Sequence, residues 1–183
     1  PGEWVEGYTN LLWTLILASS MALGLDPVTV AAVLGALSLG GAVILSSRLG
    51  AGAAGPVCAV VAAALVAFDL QAGLEAVEGL ETTFYTLLIG GGAALALAEA
   101  RAERAHWGST VVFAAAMLTR PEAPMHVGLL HLGMLLVSER RWARLRASLV
   151  AAVPLLLVLG ALTAWRLATY GVPLPNTFYA KAG

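Results

Sequence analysis

Apolar residues fill seven runs of the chain, and polar residues gather in the short breaks between them. The runs are 8–25, 28–47, 50–68, 82–98, 108–119, 123–138 and 147–165. A helix rises about 1.5 Å per residue, so about 20 residues cross a hydrocarbon core of roughly 30 Å. Four runs, of 17 to 20 residues, are long enough to cross. The pair on either side of Arg120 are short, at 12 and 16 residues, and the first run is ambiguous.

Composition turns this pattern into a class. Hydrophobic residues make up 60% of the chain and charged residues 11%, with a mean hydropathy of +0.86. A soluble domain is nearer half apolar and a quarter charged, so the lipid bilayer is the expected solvent and the long runs read as spans. The single cysteine, Cys58, excludes an internal disulfide or a cysteine-based metal framework. In an apolar run it reads as a small buried hydrophobe. A net charge of −1 gives no basic face for nucleic acid. No short cationic leader precedes the first run, and the chain reads as a single membrane domain, residues 1–183, from something longer.

Charge orients the spans. Seven of the ten basic residues fall in three places: Arg48; Arg101 and Arg104; and Arg140, Arg141, Arg144 and Arg146. Short loops rich in arginine stay cytoplasmic. Glu3, Glu6, Asp26, Asp69, Glu75, Glu78 and Glu81 have no basic neighbour and are expected outside. Parity then requires residues 108–138 to start and end on the cytoplasmic side. This favours a hairpin of two short helices with Arg120-Pro121-Glu122 at its outward tip, and a single kinked span is the alternative. By the same count both ends of 8–25 lie outside, so this run is expected as an interfacial helix on the outer face. Trp4, Tyr8 and Trp13 suit that position. The expected fold is an all-α polytopic membrane protein with about six transmembrane helices and one N-terminal interfacial helix. Alanine and glycine are frequent in the spans, which favours close helix packing in lipid.

Four polar motifs then share the outer side: EGYTN (6–10), GLET (79–82), TRPE (119–122) and PLPNTFYAK (173–181). Ionisable residues at membrane depth are costly and suggest a functional site. An arginine and a lysine near carboxylates suit an anionic group such as a lipid-carrier phosphate. Plainer readings stand beside this. Arg120 and Glu122 can form a fold-holding salt bridge, Glu81 can simply start the next span, Lys181 can face solvent or headgroups, and Asn176 can serve a turn. His126 and His131, five apart, do not share a helical face as metal ligands. No P-loop, dinucleotide-binding glycine fingerprint or nucleophile elbow occurs.

In order and spacing, "EGYTNLLW … GLETTFYTLL … LTRPE … YGVPLPNTFYAK" resembles bacterial polytopic glycosyltransferases of the GT-C superfamily, in the group related to terminal arabinofuranosyltransferases. The motifs span residues 3 to 181; each is weak alone and the ordered set is fairly specific. The resemblance implies a GT-C-like fold in the cytoplasmic (inner) membrane, with the motif loops facing the periplasm. It implies transfer of a sugar from a polyprenyl-phosphate carrier to a glycan, lipid or protein acceptor. The family's catalytic aspartate lies just before the GEWVEGYTN equivalent, which places it upstream of Pro1. No catalytic residue is therefore expected in this chain, and the segment alone is expected to be inactive. Arg120, and after it Lys181, are the candidates for stabilising the leaving phosphate. Glu6, Glu81 and Glu122 are candidates for positioning the sugar or phosphate, and Tyr8, Asn176 and Tyr179 for neutral hydrogen bonds. Branches of the family differ over a divalent metal, and no residue here is assigned to one.

The rival classes are a transporter or flippase, for which TRPEAP would be a broken helix, and a non-catalytic membrane component. No internal repeat is visible, and the polar motifs gather at one face rather than mid-membrane. The topology is directly testable by cysteine scanning with an impermeant reagent in a Cys58-replaced background. Residues 101–106 and 139–146 are expected to be cytoplasmic, and 70–81 and 171–183 external. Labelling of position 144 from outside, or of position 177 only from inside, overturns the assignment.

Overall fold

The computed structural model describes residues 9–102 and 107–173, and among these the chain is all helix, without strands. The helices are α1 (Leu11–Ala22), α2 (Pro27–Ala67), α3 (Leu70–Val77), α4 (Thr82–Arg101), α5 (Trp107–Thr119), α6 (Ala123–Leu136) and α7 (Arg141–Tyr170). Three of them, α2, α4 and α7, are long and apolar enough to cross a membrane. Their outer faces carry large apolar side chains in the open: Val57 is 74% exposed, Leu37 66% and Leu157 68%. Lipid removes the cost of that exposure, as the composition required.

Asp26 starts α2. Its carboxylate accepts from the Thr29 hydroxyl at 2.6 Å and the Thr29 amide at 2.9 Å, with Pro27 in the first turn. The Thr29 hydroxyl first, and the Thr29 amide after it, hold this carboxyl below the usual aspartate range. The helix does not stop at Arg48, where the charge pattern divided two spans. It continues to a break at Ala54 and Gly55, where Gly55 takes φ +83° and Pro56 follows. A charge does not terminate a helix, whereas a left-handed glycine before a proline does. The chain folds back there: a Cβ on Gly50 would lie 2.7 Å from the Cys58 carbonyl oxygen, although eight residues of straight helix separate their ends by about 12 Å. The returning arm, 56–67, is about 18 Å long and is shorter than the crossing expected of 50–68. The chain then enters α3, capped by Asp69, whose carboxylate accepts from the Ala72 amide at 3.1 Å. Residues 70–81, expected as an outer loop, are therefore partly helical.

The first arm of α2 runs parallel to α4. Gly35 accepts from the Thr83 hydroxyl at 3.2 Å, and Leu87 meets Gly41 as Leu45 meets Gly90, so the contacts advance together along both helices. Ala76 of α3, 2% exposed, sits against the backbone of Gly35. α5 returns antiparallel to α4, and α6 reverses again: His126 near its start reaches Tyr85, and Met134 near its end joins Ala96 in the core. Residues 108–138 thus form a helical hairpin with Arg120-Pro121-Glu122 at its turn, not one kinked helix. Its arms, of 13 and 14 residues, are about 20 Å long and individually shorter than a bilayer core. α1 begins beside Glu81 and leads back into the start of α2, next to Gly79, so both its ends lie at one end of the bundle.

The backbone approach at Gly35 gives a stability test. Gly35→Ala pushes a methyl into the Ala76 carbonyl and should cost about 1–3 kcal/mol, as overpacked sites do. Gly40→Ala meets nothing within 4 Å and should be neutral or gain up to about 1 kcal/mol from helix propensity. Thermal unfolding of the two variants in detergent compares them, and equal melting temperatures would show that α3 is not seated on Gly35.

Candidate functional site

The polar cluster at the hairpin turn is assembled from three segments that are remote in sequence. Arg120 ends α5 because Pro121 follows, and Glu122 with Ala123-Pro124 opens α6. Glu81 precedes the first turn of α4, and Asn10 precedes α1. Arg120 Nε lies 2.7 Å from Glu122 Oε1, and its Nη1 lies 3.7 Å from Glu81 Oε1. The same Nη1 donates weakly to the Thr82 hydroxyl at 3.5 Å. The other oxygen of Glu81 accepts from Asn10 Nδ2 at 2.9 Å. Trp13 fixes α1 in place by donating its indole N–H to the Gly79 carbonyl at 3.1 Å, with its ring against Phe84. Gly79 turns the chain at φ +78°.

Arg120 also lies over the Tyr85 ring, 5.7 Å from its centroid, within reach of a cation–π attraction. The Tyr85 hydroxyl is 2.9 Å from His126 Nδ1 and so ties α4 to α6. The cluster thus holds one guanidinium between two carboxylates, and is net negative by itself. The side chains of Glu81, Arg120 and Glu122 are 16%, 31% and 36% exposed, so all three are partly desolvated.

Of the residues expected to bind substrate, the structure brings together Glu81, Arg120 and Glu122. Glu6, Tyr8, Asn176, Tyr179 and Lys181 lie outside the described residues. The two acids of the cluster are both held by Arg120. The pairing of Arg120 with Glu122 is formed, and Glu81 does more than start α4, since it joins the same arginine. Glu81 makes no side-chain cap bond to its own helix. Asn10, Thr82, Tyr85 and His126 join the cluster without being among the residues expected to bind substrate. Tyr85 follows Glu81 by four positions and His126 follows Glu122 by four, the spacing that shares a helix face; applied to each acid, that rule finds both. Arg166 is a further buried cation. It is 7% exposed and lies seven residues beyond Leu159, which itself lines a groove with Pro124 at the level of the hairpin turn. Among the described residues, no three His, Cys, Asp or Glu side chains are grouped to hold a metal ion.

From this end an apolar groove of about 300 Å³ runs between the α5–α6 hairpin and α7. Met117, Pro124, Val127 and Leu159 line it, and His131 and Ser148, 3.0 Å apart, interrupt its wall. No family model matches the chain, and neither a curated protein nor a solved structure matches it.

The Tyr85–His126 bond is measurable. Tyr85→Phe keeps the ring under Arg120 and removes the bond, and should cost about 0.5–1.5 kcal/mol. A double-mutant cycle with His126→Ala should show coupling of that size; additive effects would mean the two side chains do not hold α4 to α6.

Proposed function

We propose that this chain is part of a membrane glycosyltransferase that takes a sugar from a polyprenyl-phosphate carrier. The observation that supports the reading most is the meeting of three of the four motifs behind the family resemblance. Asn10 of EGYTN, Glu81 of GLET, and Arg120 and Glu122 of TRPE form one connected cluster. Pro124, two residues past Glu122, lines the apolar groove between the hairpin and α7, so the hairpin that carries the cluster also borders a recess that suits a hydrocarbon chain.

On this reading the membrane spans number about six, with the short α5–α6 pair and the two arms of α2 completing the count. α1 lies along the outer interface, and the Arg120 end faces outward. Arg120 contacts the carrier phosphate and holds it more tightly as negative charge builds on the leaving oxygen. Glu81 and Glu122 keep the guanidinium in place and orient sugar hydroxyls. Because two carboxylates outweigh one arginine, phosphate binding calls for a second cation. Lys181 is the candidate. A base upstream of Pro1 would take the acceptor proton.

A second reading has its own support in the tight Arg120–Glu122 contact: the cluster is an ion triad that only holds the hairpin turn. The two are separated by replacing Arg120 in the intact enzyme and measuring sugar transfer and thermal stability together. Arg120→Ala should lower transfer by a factor on the order of 10² or more, and Arg120→Lys should impair it less, since charge remains without the planar two-point contact. If the triad is only structural, Arg120→Ala lowers the melting temperature and the double replacement with Glu122→Ala restores much of it. Normal transfer by a well-folded Arg120→Ala enzyme overturns the functional assignment.

A further inference from the structure

At the opposite end of the bundle the ends of α4 and α6 and the start of α7 border a second, open cavity of about 210 Å³. Its apolar floor is Leu97, Ala100 and Met134, and its polar rim is Arg101, Ser138 and Arg144. Arg144 extends its Nη2 towards the Ala100 carbonyl at 3.5 Å, at the negative end of α4. Its Nε is buried and has no hydrogen-bond partner among the described residues. An orphaned guanidinium N–H is a costly group to bury, and Arg144 lines the cavity, where its charge would attract an anionic acceptor. We propose that this cavity binds the phosphate of an anionic phospholipid, held by Arg101, Arg144 and Ser138.

Size and surroundings favour a lipid headgroup. Pockets for drug-sized ligands start at roughly 300 Å³, so this one suits a compact group rather than a whole soluble metabolite. Leu136 and Val137, beside it, are 65% and 85% exposed, giving the acyl part of a lipid an apolar surface to follow. Trp107 and Trp142, 64% and 78% exposed, begin α5 and α7 at this end, as aromatic side chains do at a membrane–water interface. Arg140, Arg141 and Arg146 add positive charge at the start of α7. Of the nearby acids, Glu99 is bonded to the Gly108 amide at 2.8 Å and the Ser109 hydroxyl at 2.7 Å, and Glu139 is exposed at the rim. Basic pockets between transmembrane helices on the cytoplasmic side are a recurrent form of anionic-lipid site. This proposal does not depend on sugar transfer.

The test is native mass spectrometry of the full chain released from nanodiscs of phosphatidylcholine mixed with phosphatidylglycerol. Phosphatidylglycerol should be retained in preference, and the preference should fall about five-fold for each arginine neutralised in R101Q and R144Q. Arg101 is exposed at the last turn of α4, so R101Q alone keeps the test open if R144Q does not fold. R140Q/R141Q, outside the cavity lining, should lower the preference less than R101Q does, and an equal or larger loss would place the selectivity in the surface charge rather than in the cavity. Equal retention of the two lipids, or a preference that survives R101Q, overturns the proposal. So does displacement of the lipid by millimolar inorganic phosphate, which would make the site one for a soluble anion.

Discussion

The Phe113 ring lies over Gly92, and this contact sets the register of the α4–α5 pair on which both ends of the molecule depend. Phe113 is 1% exposed, and a side chain on Gly92 would occupy the space its ring fills. With the two helices locked antiparallel at that point, the start of α4 must lie beside the end of α5, and the reverse at the other end. One consequence is Glu81 and Thr82 beside Arg120. The other is Glu99 capping the amides of Gly108 and Ser109 at the start of α5. Lipid offers no hydrophobic force between helices, so a bundle of this kind relies on close packing through small residues and on a few polar contacts. Gly35 under Ala76 and Gly50 under Cys58 serve the same purpose elsewhere.

The two ends differ in charge and in what they can hold. The Arg120 end carries a partly desolvated triad with two carboxylates, and Pro124 beside it lines an apolar groove. The Arg144 end carries excess arginine around a small cavity with an unsatisfied guanidinium N–H. A bilayer imposes this separation, because charges are tolerated near its faces and within protein-lined recesses but not against its chains.

The membrane class and the hairpin around Arg120 were legible because they rest on one-dimensional quantities. Run length against bilayer thickness, and the alternation of acidic and basic breaks, need no knowledge of contacts. Pro121 between Arg120 and Glu122 marked the reversal by its own chemistry. The break in α2 lies away from the charge for the converse reason: Arg48 marks a polar position in the hydropathy pattern, while Gly55-Pro56 holds the conformational signal. The helix at 70–77 is hidden in the sequence because Asp69, Glu75, Glu78 and Glu81 make the stretch read as a polar break, although Asp69 stands where a cap belongs.

By itself, the sequence determined that this chain is helical and belongs in a membrane, and which of its breaks carry like charge, since hydropathy and charge act residue by residue. It also placed Arg120 beside Glu122, two positions apart across a proline. Only the tertiary structure decided that Glu81 and Asn10 join them, that Tyr85 and His126 brace the cluster, and that Arg144 faces a cavity with an N–H unsatisfied. Those contacts join segments up to 71 positions apart, and their register is set by where one helix lets another approach, a property of Gly92 and Phe113 together that neither residue carries alone.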